Sequence, residues 1–497
     1  MNPVESLHPV DPFDGPVLPD VPPTLRHCPW PQARQAAERA AAGPLTAREE
    51  TLAEALGRTL AEPLTALTDL PAFDTSAMDG WAVAGPGPWR LAGRVLAGQP
   101  AGPLADGEAV EIATGAQLPS GATGVLRREH GRVAPPAGPS GPGGPGGPGG
   151  GAAGEGTPPG FPAEPEYGSA ETGGRAVAGP GAQGFAGRGT AGAGRERRSD
   201  GSAGAAGASG GEPAAAVRPG GGAGLLYGSV GPGQDVRPRG QECRRGEELL
   251  PAGTEVTAVV LGLAAAAGHD TLPVRRRPTV ELLVLGDELQ ESGVPAPGRV
   301  RDALGPLLPP LLAAAGAEVI GRRCVRDDFG LLRDAIRHSP ADVVLTTGGT
   351  AAGPVDFLHA ALEATGGHLL VDGVAVRPGH PMLLARLPGG RHLVGLPGNP
   401  LAAVAGTVTL ALPLLHALSG RPASGDGRER AERVAAELPG HPRDTRLVPV
   451  VRRTDGAVPL PFDGPAMLRG LALAEALAVV PPGGVPSGGR AELLPLH

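Results

Sequence analysis

Two short glycine loops are the first places where this chain could do chemistry: Gly348-Gly349, and Pro397-Gly398-Asn399-Pro400. Each follows an apolar run and precedes a helical pattern, so both read as strand-to-helix turns. Glycine there lets backbone N–H groups approach a phosphate, and the next helix adds a favourable dipole. An ordinary tight turn is the competing use of either pair. Asparagine occurs only at Asn2 and Asn399, so an Asn beside Gly398 marks a position whose amide or backbone is used. Acidic residues fall at the same expected edge: Asp287 and Glu288 after one strand, Asp302 at a helix start, and Asp356 beyond the glycine pair. Carboxylates beside a phosphate suit a hydrated Mg²⁺, which takes one or two of them plus phosphate oxygens. Helix N-capping is the alternative for Asp302 and Asp356.

Further upstream, the polar run from Asp74 through Asp79 to Gly80, and the Thr114-Gly115 pair, could meet a ligand oxyanion or simply turn the chain. The run Arg275-Arg276-Arg277 reads as a solvated domain boundary.

These residues need elements to position them. From Thr279 onward, strand and helix patterns alternate. Strands are expected over 279–285, 317–320, 342–346 and 392–396, and helices over 304–315, 328–338, 355–364 and 401–418. Such repetition implies a parallel sheet covered by helices, with ligands outside the carboxyl ends of its strands. Residues 91–126 and 424–497 have short apolar runs broken by Gly and Pro, as small β domains do. Leu52, Leu56 and Leu60 recur every fourth residue, which predicts a helix over 47–63, and residues 29–42 form a second helical candidate.

Composition sets the outer bounds. Gly and Pro make up about 29 % of the 497 residues, and 35 of the 83 glycines lie between 131 and 235. That segment cannot bury enough apolar surface to offset its chain entropy, so it reads as a disordered insertion. All 43 basic residues are Arg, which excludes any lysine mechanism, and a net charge of −8 argues against nucleic acid as a partner. Cys28, Cys243 and Cys324 lack disulfide or zinc spacing. Apolar stretches shorter than a membrane span and no leader pattern lead to the expectation of a cytoplasmic protein with no membrane association.

Seven stretches in order resemble the molybdopterin molybdenumtransferase family (MoeA and the related E domain of gephyrin). They are LPAFDTSAMDGWAV at 70–83, TGAQLP at 114–119, RRGEELLPAG at 244–253 and GDEL at 286–289. Thr347-Gly348-Gly349 with Asp356, Arg377-Pro378-Gly379, and GLPGNP at 395–400 complete the set. The resemblance implies an α/β multi-domain homodimer. Residues 27–69 and 240–277 would form an elongated linker domain, 70–130 a small β domain, 278–421 the parallel molybdopterin-binding domain and 424–497 a C-terminal small β domain. It implies insertion of molybdate into adenylylated molybdopterin with release of AMP, assisted by Mg²⁺. Asp74, Asp79, Thr114, Asp287 and Asp356 would be catalytic, with Asp287 and Asp356 also at the metal. Gly348, Gly349, Arg377, His380, Pro397, Gly398, Asn399 and Pro400 would bind substrate. Other proteins of molybdenum cofactor biosynthesis are the implied partners.

The chain departs from the family pattern at several points. Val260 stands where a Glu is common, Gly373 where a Lys is frequent, and Arg377-Pro378-Gly379-His380-Pro381 replaces a Lys-Pro-Gly-Lys-Pro motif. Ala303-Leu304 replaces a polar pair, and Pro354 an acidic residue. Two functions therefore compete: an active, slowed molybdenumtransferase, and a paralogue that binds molybdopterin or its metallated product as a carrier.

Overall fold

The computed structural model describes residues 23–134, 224–350, 357–422 and 431–496. They fall into two compact units, one from residues 78–235 and the other from the rest of the chain.

The larger unit holds the alternating region. Strands Glu318–Val325, Thr279–Leu285, Val343–Thr347 and His392–Leu396 lie side by side in that order, all parallel. Thr279–Leu285 and Val343–Thr347 are buried almost throughout, as central strands covered on both faces must be. Beyond His392–Leu396 the sheet turns antiparallel through Leu383–Arg386 and His368–Arg377. The periodicity misses these two strands because a parallel α/β pattern has no place for a hairpin. His368–Arg377 also takes Leu25–Pro29 as a parallel neighbour, and its last two residues pair with Thr445 and Arg446. Through that junction the sheet continues into antiparallel strands Thr445–Arg453, Ala476–Val480, Arg490–Pro495 and Ala431–Arg433.

Helices Leu304–Ala314, Phe329–His338 and Leu358–Ala364 follow successive strands. The helical run from Pro400 to Leu418 is 19 residues long and as apolar as a membrane span, yet most of it is buried inside the fold. It widens to a π turn at Thr407–Ala411, where the Trp30 indole N–H donates to the Thr409 hydroxyl at 2.9 Å. Trp30–Ala40 packs there, seating Trp30, Ala33 and Ala37 in the same core.

The helix expected over 47–63 does not form as a whole. Ala47–Thr51 is a strand paired with Thr271–Arg275, and only Leu52–Ala55 is helical. Pairing with a distant strand overrides the local leucine period, leaving Leu56 47 % exposed while Leu60 is 2 % exposed. The arginine run 275–277 is likewise not solvated: all three residues are half-buried.

The smaller unit carries a six-stranded sheet in the order Gly124–Arg127, Gly80–Val83, Glu108–Ile112, Trp89–Val95, Leu225–Tyr227, Arg132–Ala134. The last two strands lie inside the segment that composition assigns to the insertion. Leu226 is fully buried against Trp89 and Leu126, and Asp235 forms a two-point ion pair with Arg127. Apolar residues at the flanks of a glycine-rich stretch are thus enough to extend the sheet. The glycine-rich remainder, 135–223, lies outside the described residues.

Candidate functional site

The two glycine loops meet. Val343–Thr347 and His392–Leu396 are paired in register, so their carboxyl ends deliver Gly348-Gly349 and Gly398-Asn399 side by side. The Gly348 amide donates to the Leu396 carbonyl at 2.8 Å. A Cβ on Gly398 would lie 3.7 Å from the Gly348 Cα. Gly348 and Gly349 have φ of +87° and +65°, a left-handed backbone that side chains rarely adopt.

These loops line a cavity of about 690 Å³, together with Pro400, Glu288, Arg301, Asp302 and Asp327. Its volume lies within the ~300–1,000 Å³ of small-molecule sites. Every strand of the parallel set contributes from its carboxyl end.

The carboxylates differ in freedom. Asp302 is 4 % exposed; its Oδ1 accepts the Gly305 N–H at 2.8 Å, and Arg322 stands 3.4 Å from Oδ2. It therefore holds the start of Leu304–Ala314, the capping use foreseen for it. Asp327 accepts the Asp287 N–H at 3.2 Å, which ties the ends of two neighbouring strands. Sequence reasoning passed over Asp327, although Arg326-Asp327-Asp328 directly follows an apolar strand end. Asp287 is exposed and 3.7 Å from Arg326; its neighbours Gly286 and Glu288 line the cavity, and Asp287 is not among the lining residues. Asp356 lies outside the described residues. Among the described residues no group of three or more His, Cys, Asp or Glu is arranged to hold a metal ion.

The helix expected after Asn399 does start there, and its first donors are met from outside the helix. Pro400 has no N–H, and the Leu401 and Ala402 N–H groups both donate to the Pro465 carbonyl. The first donors of the helix are therefore satisfied by the C-terminal segment. The Asn399 carbonyl accepts from Ala403, and its side chain makes no cap bond. Ala466 and Leu468, from that same segment, close the cavity wall. No local sequence signal marks them, since only the long-range packing brings them there.

Arg377 and His380 belong to another cluster. Arg377 Nε donates to Asp444 at 2.8 Å, and His380 Nδ1 lies 2.9 Å from the Val374 carbonyl. The His380 ring stands edge-on to His27 at 4.6 Å. Burial opposes ionisation of Asp444, but the Arg377 bond and the nearby charges of Arg377, His441 and His27 outweigh it, so its carboxyl sits below the usual range. Neither Arg377, His380 nor Pro397 lines the glycine-loop cavity. Gly373, at φ +80°, would place a Cβ 3.5 Å from the His380 ring.

Asp74 accepts the Arg239 N–H at 2.7 Å in the larger unit. In the smaller unit, Asp79 Oδ1 accepts both the backbone N–H and the hydroxyl of Thr114, at 2.7 and 2.9 Å. Those two bonds, the backbone one foremost, lower the Asp79 pKa with help from Arg128 and against a smaller burial effect. Val260 sits in the first turn of Ala258–Ala266, half-buried against the apolar cluster around Leu60 and Leu272.

Three family models match the chain in order. They are the MoeA N-terminal region (domains I and II) over residues 29–150, a probable molybdopterin binding domain over 281–417, and the MoeA C-terminal region (domain IV) over 432–496. A molybdopterin molybdenumtransferase from Synechococcus elongatus is 35 % identical over 191 residues, which cover 37 % of this chain and 47 % of that protein. Molybdopterin molybdenumtransferase 2 of Mycobacterium tuberculosis is 34 % identical over 200 residues, covering 38 % and 49 %. The match thus spans about half the length of these curated relatives. Two solved structures of the molybdopterin biosynthesis MoeA protein of Pyrococcus horikoshii share the fold. Their TM-scores are 0.63 and 0.62 at 23 % and 19 % identity, and the overlap covers 94 % and 93 % of this chain and 99 % and 98 % of theirs. With N-terminal, molybdopterin-binding and C-terminal models of one set matched in order, the chain belongs to the MoeA family, the family of these molybdopterin molybdenumtransferases.

Proposed function

We propose that this protein inserts molybdate into adenylylated molybdopterin and releases AMP, acting as a cytoplasmic homodimer within molybdenum cofactor biosynthesis. The observation that carries the reading is the glycine-loop cavity at the carboxyl ends of four parallel strands. A pterin phosphate needs close backbone approach, which Gly348, Gly349 and Gly398 permit because no Cβ intervenes. Asn399 offers an amide that capping does not consume. With the helix's first N–H groups taken by Pro465, the phosphate is held by the loops and by the helix dipole.

The hard oxygens of Glu288 and Asp327 suit Mg²⁺, which takes one or two carboxylates and completes its shell with phosphate oxygens and water. Asp287 and Asp356 are the positions at which the family resemblance puts it. Bound there, Mg²⁺ would neutralise anhydride charge and ease the departure of AMP. Asp79, kept ionised by Thr114, supplies a fixed negative charge, and Asp74 fixes the backbone of Arg239. Arg377 and His380 act as a separate group: Arg377 is held by Asp444, so it binds an anion only by sharing its guanidinium.

Val260 gives no carboxylate where relatives commonly have one, so turnover should be slow. The deciding experiment measures AMP release and molybdenum incorporation with adenylylated molybdopterin and molybdate. Release of AMP with metal incorporated supports the enzyme. Tight binding with neither would mean a carrier.

A further inference from the structure

The helix Trp30–Ala40 ends against the parallel sheet, and one buried histidine meets it there. Ala41 leaves the helix in extended backbone, so the Ala40 carbonyl has no partner within the helix, as at any helix end. His392, the first residue of His392–Leu396, is 3 % exposed, and its Nε2 lies 3.0 Å from that carbonyl. A carbonyl only accepts, so Nε2 carries the ring hydrogen and Nδ1 is the bare nitrogen. Nδ1 is buried with no partner among the described residues.

The surroundings oppose a second ring proton. At Nδ1 it would create a buried donor with no acceptor among the described residues. It would also add charge beside Arg386, which lies opposite His392 in the sheet and stands 3.5 Å from the same Ala40 carbonyl. Arg39, from the helix itself, lines one cavity with Arg386 and Ala40, and His368 lies opposite Arg386 on the next strand. The one acid whose charge favours the protonated ring is Asp342, and Arg276 and Thr279 already hold its carboxylate. Burial foremost holds the His392 pKa below the ordinary histidine value; the Ala40 bond opposes this, Arg386 adds to it and Asp342 opposes it.

We propose that His392 is an acid-sensitive latch: a proton taken from water by its ring frees the end of Trp30–Ala40 from the sheet, while the sheet stays folded. With the helix docked, the ring stays neutral. Once the helix end lifts, water reaches Nδ1 and the ring titrates near its ordinary value of about 6.5. Docking is therefore strongest above that value and weakens as pH falls from it toward the lower value of the docked ring. Across that window the lifted population grows by up to about tenfold per pH unit. The latch is joined to the glycine-loop cavity on two sides. His392 opens the strand that delivers Gly398 and Asn399, and Trp30 donates to Thr409 in the helical run that leaves them.

Hydrogen exchange on the full chain at pH 7.5 and pH 5, corrected for the intrinsic pH dependence of exchange, tests this. Amides in the second half of Trp30–Ala40 should lose about tenfold in protection at pH 5, while those of Val343–Thr347 keep theirs. His392→Gln retains an amide N–H for the Ala40 carbonyl and cannot titrate, so its helix should be equally protected at both pH values. His27 and His380, paired edge-on beside the start of the same segment, remain in that variant. His27→Gln should keep the full acid response, and it carries the test if His392→Gln fails to fold. Equal protection of the parent helix at both pH values would overturn the proposal. So would an acid response that survives His392→Gln or disappears in His27→Gln. Helix and central strand losing protection together would be ordinary acid unfolding, and would overturn it as well.

Discussion

Gly348 and Gly349 hold their loop through left-handed backbone, at φ +87° and +65°. Asp79 and Thr114, in the six-stranded unit, hold theirs through one carboxylate oxygen that takes two hydrogen bonds. The first kind of site is fixed by residue type, since only glycine adopts that backbone without strain. The second is fixed by a pair 35 positions apart in sequence, of which the Thr114 side chain can change while the backbone bond to Asp79 stays. A backbone-built loop therefore fails together with its fold, whereas a side-chain-built loop can lose function and keep its fold.

The largest effect should come from Gly348→Val. A branched side chain at φ +87°, 3.2 Å from the Leu285 carbonyl, adds strain on the order of 1–3 kcal/mol. Molybdopterin binding, read by calorimetry, should fall at least tenfold while the urea midpoint drops. Unchanged binding would remove the glycine loops from the site.

Val260→Glu is expected to raise the rate of AMP release, by up to roughly 10²-fold if the carboxylate works as a positioned acid or base. Gly373→Lys, the other change toward the family pattern, should instead lower the melting temperature, because φ is +80° there. A gain from lysine at 373 would show that this backbone relaxes readily.

Thr114→Val tests the side-chain-built loop. It removes the hydroxyl bond to Asp79 and leaves the backbone one, so AMP release should slow roughly tenfold with the melting temperature little changed. Equal loss of rate and stability would erase the contrast between the two regions.

Acid stability gives a smaller effect. Burial opposes the charge on Asp342, but the Arg276 ion pair and the Thr279 N–H and hydroxyl hold its pKa below the ordinary value. A carboxyl lowered by folding stabilises fully above its unfolded pKa of about 4 and loses that contribution as pH falls through the folded value. Urea midpoints between pH 7 and pH 3 should fall at the acid end, and Asp342→Asn should flatten that slope while lowering the neutral plateau.

The smallest effect concerns the glycine-rich insertion. Replacing residues 135–223 by Asn-Gly should preserve a soluble protein with a melting temperature no lower than the parent's, because shortening a loop reduces its closure entropy. The junction must spare Arg132–Ala134 and Leu225–Tyr227, which pair in the sheet. Cutting instead from 131 to 235 removes both strands and the Asp235 partner of Arg127, and should unfold the six-stranded unit.

Local chemistry settled much of this protein in advance. Apolar runs such as Thr279–Leu285 and Val343–Thr347 can only be buried central strands, and glycine after each strand end is a backbone requirement written into one residue. Those features depend on neighbours within a few positions, so the sequence carries them openly. Other features depend on what the chain meets after folding. Ala47–Thr51 became a strand because Thr271–Arg275 lies beside it, against its own leucine period. Asp327 joined the cavity because two strands ended level. The Pro465 carbonyl, from more than 60 positions further along the chain, took the first N–H groups of the helix after Asn399. Arg377 turned to Asp444, and Arg275 to carbonyls, through partners remote in the chain. Hydrogen-bond partners and register are properties of three-dimensional neighbours, and the linear order of residues does not name them.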